Sequence, residues 1–376
     1  MKIGFLSQHD PDTATTFSGV PYFMTRALRD QGATVEVVAH RLIAQPKFNL
    51  LGRVQRKLFP KGDVPETEFA KAIEADLRRS PVDVVYAVMA PHLVKYVPSD
   101  IPLVYFSDAT VPLMRGYYGQ TFSDRLAEAE RATYARASRL IFTSNWAARS
   151  AVEDAGADPE KIRVIPFGAN VDQTPSLSVV KGKRAKGPLK LLFIASDWER
   201  KGGPVALETL AALRRAGIDT TLYIVGKTGD QIPDGAIATG FLNKAIPKQK
   251  QQLTELFEAC HFMLMPSRAE TFGAVVGEVN AYGLPVLGAR TGGLSEAVIN
   301  EENGLTFDAE ANGEEYAQKI MDVWRDPESY DRFVKGARQT FETRLAWSVV
   351  GRQTTESLEE ALKADSPVRP ASLSFA

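Results

Sequence analysis

Two glutamates, Glu270 and Glu278, lie close together in the stretch from His261 to Val298, which also carries Thr271-Phe272-Gly273 and Thr291-Gly292-Gly293. Paired carboxylates suggest glycoside hydrolysis, where the acid/base pair sits about 5–9.5 Å apart. On one helix, eight residues at about 1.5 Å each would part these two by roughly 12 Å. They are therefore read as two contacts to one ligand. Glu278 is flanked by Val275, Val276, Val279 and Tyr282 on a helix expected to be mostly buried, where a carboxylate is costly unless hydrogen-bonded. A ligand's vicinal hydroxyls would satisfy it; the alternative is a helix-edge glutamate reaching solvent. Phe272, Gly273 and Ala274 begin the same helix, so unpaired N–H groups and the helix dipole face an anion there. Lys201, on the loop Arg200-Lys201-Gly202-Gly203-Pro204, can reach that anion. Together these groups describe a diphosphate between helix start and lysine, with Glu278 on a ribose and Glu270 on a second polar group beyond.

Positioning them requires a strand, a loop, a helix and a second strand with little spare chain, the pattern of a parallel α/β unit. In such sheets ligands bind outside the carboxyl ends of the strands. The same alternation runs from the amino terminus. Lys2 to Ser7 reads as a buried strand, the polar loop from His9 to Phe17 follows, and Ser18 is the expected N-cap of a helix with Pro21 in its first turn. Gly19, at that helix start, lets backbone N–H groups approach a phosphate or a sugar, though it also reads simply as a turn. Further strands are expected at Thr34–Ala39, Val82–Val88, Leu103–Phe106, Leu140–Phe142 and Lys161–Pro166. The polar segment 174–188 reads as a linker. The pattern then restarts at Leu189, and the last helix is expected from Trp347 to Lys363, with a frayed tail over 365–376.

A chain of 376 residues suits two domains. The formal net charge of -1 gives no support to nucleic-acid binding, and four scattered histidines with one cysteine, Cys260, argue against a zinc site. The lone cysteine fits a reducing cytoplasm. No apolar run approaches the roughly 20 residues of a membrane span, and Met1 to Leu6 enters a strand rather than a signal peptide. Between His40 and Gly62 the chain carries Arg41, Lys47, Arg53, Arg56, Lys57 and Lys61 without an acidic residue, and Leu51, Val54 and Leu58 share a helical face. Segment 41–61 is thus a candidate peripheral contact with an anionic membrane, or else a solvated positive face over a small satellite core.

Pro266-Ser267, Glu270-x-Phe272-Gly273, Glu278, Gly283-x-Pro285-Val286 and Gly292-Gly293-x-x-Glu296 resemble the donor-site signature of retaining glycosyltransferases of family four. Arg200-Lys201-Gly202-Gly203, Gly240-Phe241 and Pro166-Phe167-Gly168-Ala169-Asn170 are similar to that family in the same order. The resemblance implies an α/β GT-B architecture, with two Rossmann-like doubly wound domains facing a cleft. The first would span 1–173 on the acceptor side and the second 189–343 on the donor side, with the helix of 344–364 crossing back. It implies a UDP- or GDP-type nucleotide-sugar donor, a glycan or lipid-linked acceptor, retention at the anomeric carbon, no cofactor and no essential metal. Carried over, Glu270 contacts donor-sugar hydroxyls, Glu278 the ribose, and Lys201 with the Phe272, Gly273 and Ala274 N–H groups the leaving diphosphate. Ser18 and Gly19 lie nearest the phosphates, His9 and Ser18 on the acceptor side, and Leu242 with its loop beside the base.

The chain departs from the family twice. Ser196 stands where an arginine precedes the lysine, so Arg200 is the candidate substitute. Asp108 stands where the family carries a histidine; when ionised it accepts a hydrogen bond from a sugar hydroxyl, or it caps the turn that follows its strand. The reading is a cytoplasmic hexosyltransferase, with Glu270, Lys201 and Asp108 at the reaction centre. A nucleotide-sugar epimerase of the same fold and a non-catalytic nucleotide-sugar-binding protein remain the alternatives.

Overall fold

The computed structural model describes residues 1–43, 66–181 and 188–364. Two six-stranded sheets organise them, with every strand pairing parallel. The first runs β2-β1-β3-β4-β5-β6, from β1 (Lys2–Ser7), β2 (Thr34–Val37), β3 (Val84–Val88), β4 (Leu103–Ser107), β5 (Arg139–Phe142) and β6 (Ile162–Val164). The second runs β12-β11-β10-β7-β8-β9, from β7 (Leu189–Ala195), β8 (Thr220–Gly226), β9 (Ala236–Gly240), β10 (Phe262–Met265), β11 (Val286–Ala289) and β12 (Gly304–Phe307). The central strands are apolar throughout: β3, VVYAV, and β10, FMLM, are buried along their whole length, as a parallel sheet covered on both faces requires. Strand order reverses beside β1 in the first sheet and beside β7 in the second, so the carboxyl ends of β1/β3 and of β7/β10 are the places for a ligand.

A continuous core joins the two domains. Phe167 contacts Phe17 and Phe106 of the first domain, with centroids 6.2 and 5.6 Å away. On its other side it meets Phe272 of the second, edge to face at 5.9 Å. The helix Trp347–Ala364 does cross back: Gly351 lies against Ala27 of the helix Val20–Asp30, and the Glu360 carboxylate accepts from Arg139 Nε of β5 at 2.9 Å and Arg163 Nη2 of β6 at 2.7 Å. Those two guanidiniums, the Arg139 hydrogen bond foremost, hold the Glu360 carboxyl below its usual range.

Several expectations are corrected. Ser18 is not the N-cap: Phe17–Gly19 form a tight 3-10 turn with Ser18 at φ 55°, and Gly19, at φ 86°, precedes the helix without a side-chain cap bond. Gly19 N–H closes the turn by donating to Thr16 O at 2.9 Å, and the Ala14 carbonyl lies beside Gly19. The helix before β11 begins at Val275, not at Phe272, since Gly273 at φ 87° cannot continue a right-handed turn backwards. Strands β9 and β12 and the helix Val111–Gly116 lacked a clear sequence signal, being short and only partly apolar. The segment read as a linker contains a helix, Leu177–Lys181, anchored by the buried Val180. The basic stretch beyond residue 43 and the tail 365–376 lie outside the described residues.

Candidate functional site: a cleft between two sheets

A cleft of about 400 Å³ opens between the carboxyl edges of the two sheets. Lys201 enters from the loop after β7 and Glu270 from the loop after β10, the neighbouring strands at which the second sheet reverses its order. Two local features bring them together. Gly202, at φ 80°, lies so close to the Pro266 carbonyl that a Cβ there would overlap it. Arg268 N–H donates to Arg200 O at 2.8 Å, fastening one loop to the other. The Lys201 ammonium then donates to Glu270 Oε2, with both side chains mostly buried.

Glu278 faces the same cleft from the first turn of the helix Val275–Ala281 and is 3% exposed. Burial raises its carboxyl above the usual range, opposed by Lys244, whose ammonium donates to it at 2.5 Å. Lys244 escaped the sequence reading because nothing in the loop after β9 announces a partner for a residue 34 positions later. Gly273 and Ala274 line the cleft, and Leu242 borders it from the loop after β9. Phe272 sits 1% exposed in the core, so only its backbone is available to a ligand.

On the opposite wall, Ser18 and Asp108 line the cleft. Asp108 follows β4 and accepts from Thr271 Oγ1 of the other domain at 2.9 Å. Burial raises its carboxyl, the Thr271 bond lowers it, and nearby Glu270 raises it again. Gly19 and His9 stand behind this wall rather than on it. His9 stacks on Phe17 at 5.2 Å, and burial depresses its imidazole. Arg200 reaches the same carboxylate as Lys201, from the side: its Nη1 donates to Ala269 O at 2.8 Å and lies 4.0 Å from Glu270 Oε2, while its guanidinium sits 5.7 Å from the Tyr118 ring. Tyr117, also unforeseen, accepts from Glu270 N–H at 3.4 Å.

Among the described residues, three ligand-type side chains come together only at Asp10, Asp12 and His40. Within the cleft, Glu270 and Glu278 are each satisfied by a lysine. The arrangement offers ammonium groups at two points and carboxylates suited to hydroxyls, on a cleft shared by two domains.

Two parallel doubly wound domains facing such a cleft define the GT-B class of fold, and solved structures bear this out. Sucrose-phosphate synthase from Thermosynechococcus elongatus superposes with a TM-score of 0.70 at 16% identity, covering 97% of this chain and 100% of that one. Anabaena HepE in complex with UDP and glucose gives 0.63 at 20% identity, covering 96% and 99%. The model for glycosyltransferase family 4 matches residues 21–173, and that for glycosyl transferases group 1 matches residues 178–340. The chain belongs to this group 1, family 4-like glycosyltransferase family. Its relatives include the D-inositol 3-phosphate glycosyltransferase of Pseudarthrobacter chlorophenolicus, 30% identical over 51% of this chain and 48% of that protein. Glycogen synthase of Mycobacterium tuberculosis is 26% identical over 72% of this chain and 66% of its own length. The chain spans about half the length of the inositol phosphate glycosyltransferases it matches.

Proposed function

We propose that the protein is a retaining glycosyltransferase that moves a hexose-type sugar from a UDP- or GDP-linked donor to a glycan or lipid-linked acceptor. The observation that carries this reading is the convergence of Lys201, Glu270 and Glu278 on one cleft at the switch point of the second sheet. Glu278 takes the ribose hydroxyls in place of Lys244. The diphosphate lies along Gly273, Ala274 and the Lys201 ammonium, with Ser18 of the first domain at its other side and Gly19 behind it in the same turn. Glu270, drawn off Lys201, accepts from donor-sugar hydroxyls, and Asp108 accepts from another hydroxyl across the cleft. His9 belongs to the acceptor side, Leu242 to the base, and Arg200, bonded to the Glu270 loop and 4.0 Å from the Glu270 carboxylate, substitutes for the missing arginine. That UDP and glucose occupy the Anabaena relative favours UDP of the two donors.

In the reaction the bond from the anomeric carbon to the β-phosphate oxygen breaks as the acceptor oxygen bonds the same face of that carbon. The acceptor's proton passes to the departing phosphate oxygen, so no protein nucleophile is needed. Charge building on the diphosphate is met by Lys201 and backbone N–H groups already in place, the role a metal fills elsewhere. The reading therefore calls for neither metal nor cofactor. It places the chemistry in the cytoplasm, with segment 41–61 carrying the enzyme to an anionic membrane; liposome binding unchanged by charge reversal at Arg53, Arg56 and Lys57 would sink that part.

The test is a thermal-shift panel of nucleotide sugars, since a bound donor raises stability by mass action, followed by product analysis with and without acceptor. A product retaining the donor's anomeric configuration is expected. An epimer formed from donor alone, or binding without turnover over a broad acceptor panel, overturns the transferase reading.

A further inference from the structure

The helix Asn145–Glu153 in the first domain has a first turn whose bonding is shared between domains. An α-helix leaves its first N–H groups without intrahelical partners. Here Ala147 N–H goes to its own N-cap, Ser144 Oγ, at 3.2 Å. The first two go instead to Glu296 of the second domain: Asn145 N–H donates to Oε2 at 2.8 Å and Trp146 N–H to Oε1 at 2.9 Å. Asn145 Nδ2 adds a third bond to Oε2 at 2.7 Å. One carboxylate from a residue 151 positions away thus completes the helix, where its charge is favoured by the dipole.

This contact leads back to Glu270. The Trp146 ring packs on Tyr117 with centroids 5.0 Å apart, and Tyr117 Oη accepts from Glu270 N–H. The two glycines before Glu296 permit the approach. A Cβ on Gly292, at φ 50°, would overlap the Glu270 carbonyl, and one on Gly293 would overlap the Thr271 carbonyl and press on Ser144 Oγ. Charge-assisted bonds, an edge-to-face ring pair and the Glu270 backbone therefore form one connected path beside Glu270.

We propose that Glu296 is a positioning residue: by capping the helix Asn145–Glu153 across the domain boundary, it holds the first domain's Tyr117 against the backbone of Glu270 when the cleft is closed. This rests on the transferase reading for its effect on rate, but not for its effect on docking. It acts on the chemical step and not on nucleotide affinity, because neither Glu296 nor Asn145 lines the cleft.

Glu296→Ala and Asn145→Pro test it. Proline is well tolerated at the first helical position, and the extended Ser144 before it suits a proline, so the second variant removes both bonds to Oε2 while sparing the helix. Three quantities are measured in the full chain: affinity for UDP and GDP by calorimetry, amide exchange at Trp146 and Glu270, and release of nucleoside diphosphate from UDP-glucose and GDP-mannose with acceptor. For the nucleotide that wild type binds, affinity should stay within about twofold in both variants, while release falls about 10–100-fold, the scale of lost bonds to a charged group. Exchange at both amides should rise at least about tenfold. Unchanged release, equal losses in affinity and release, or unchanged exchange overturns the proposal. If Glu296→Ala does not fold, Asn145→Pro decides by the same criteria. Wild type that releases nothing from either donor defeats the transferase reading instead, and exchange then decides docking alone.

Discussion

Lys201 Nζ and Glu270 Oε2 are bonded to one another across the carboxyl ends of two adjacent strands, although 69 positions separate them in the chain. Each is held by backbone: Gly202 against Pro266, and Arg268 N–H on Arg200 O. On the proposed function, the pair is a charge-balanced resting state that a donor would divide, phosphate taking the ammonium and sugar hydroxyls the carboxylate.

Lys201→Ala and Glu270→Ala should each lower kcat by about 10²–10³-fold, the range seen when one preorganised stabilising group is removed. Arg352→Ala, on an exposed face of the last helix with Glu356, should leave kcat within about twofold. Steady-state kinetics checks this, and comparable losses at all three positions would remove the site assignment.

Lys244→Met leaves the Glu278 carboxylate without its cation. That carboxyl is already raised by burial, and the variant raises it further. A raised carboxyl contributes stability that is complete below its unfolded value and lost as pH rises through the folded one. The variant should therefore be less stable than wild type by about 1–3 kcal/mol at pH 8, the buried-pair penalty discounted for a partly exposed ammonium. The deficit should shrink by pH 5.5, and urea titrations at both pH values measure it.

Glu130 offers a second pH test away from the cleft. Burial pushes its carboxyl from 4.5 up to about 7, while the bond from Val111 N–H holds it down. The folded protein thus keeps this proton more tightly than the unfolded chain. The stabilisation is full below about pH 4.5 and fades as pH rises through about 7. Glu130→Gln keeps an acceptor for Val111 N–H and removes the titration. Between pH 5 and 8, wild type should lose roughly 1–3 kcal/mol more than the variant. Parallel denaturation curves at the two pH values would contradict this.

Thr271→Val removes the hydrogen bond that lowers the Asp108 carboxyl. If the ionised form accepts from a sugar hydroxyl, the acidic limb of the kcat/KM profile should move to higher pH in the variant. A limb that stays in place assigns it to another group.

The elements of the site were legible from local pattern. Apolar runs marked β7 and β10, and Gly202-Gly203 marked the loop that carries Lys201, because these depend on residues a few positions apart. The same locality explains the misses. Ser18 has the residue type of an N-cap but not the conformation, and Phe272 was counted into a helix that Gly273 delays. Short edge strands such as β9, with no fully buried residue, carry little apolar signal of their own.

By itself the sequence determined the α/β alternation, the family motifs and the residue types able to meet a diphosphate and sugar hydroxyls. Only the tertiary structure decided which partner each takes: Lys201 with Glu270, Lys244 with Glu278, Thr271 with Asp108, and Glu296 with a helix of the other domain. Strand order sets those partnerships, because a parallel sheet brings together loops that the chain keeps far apart.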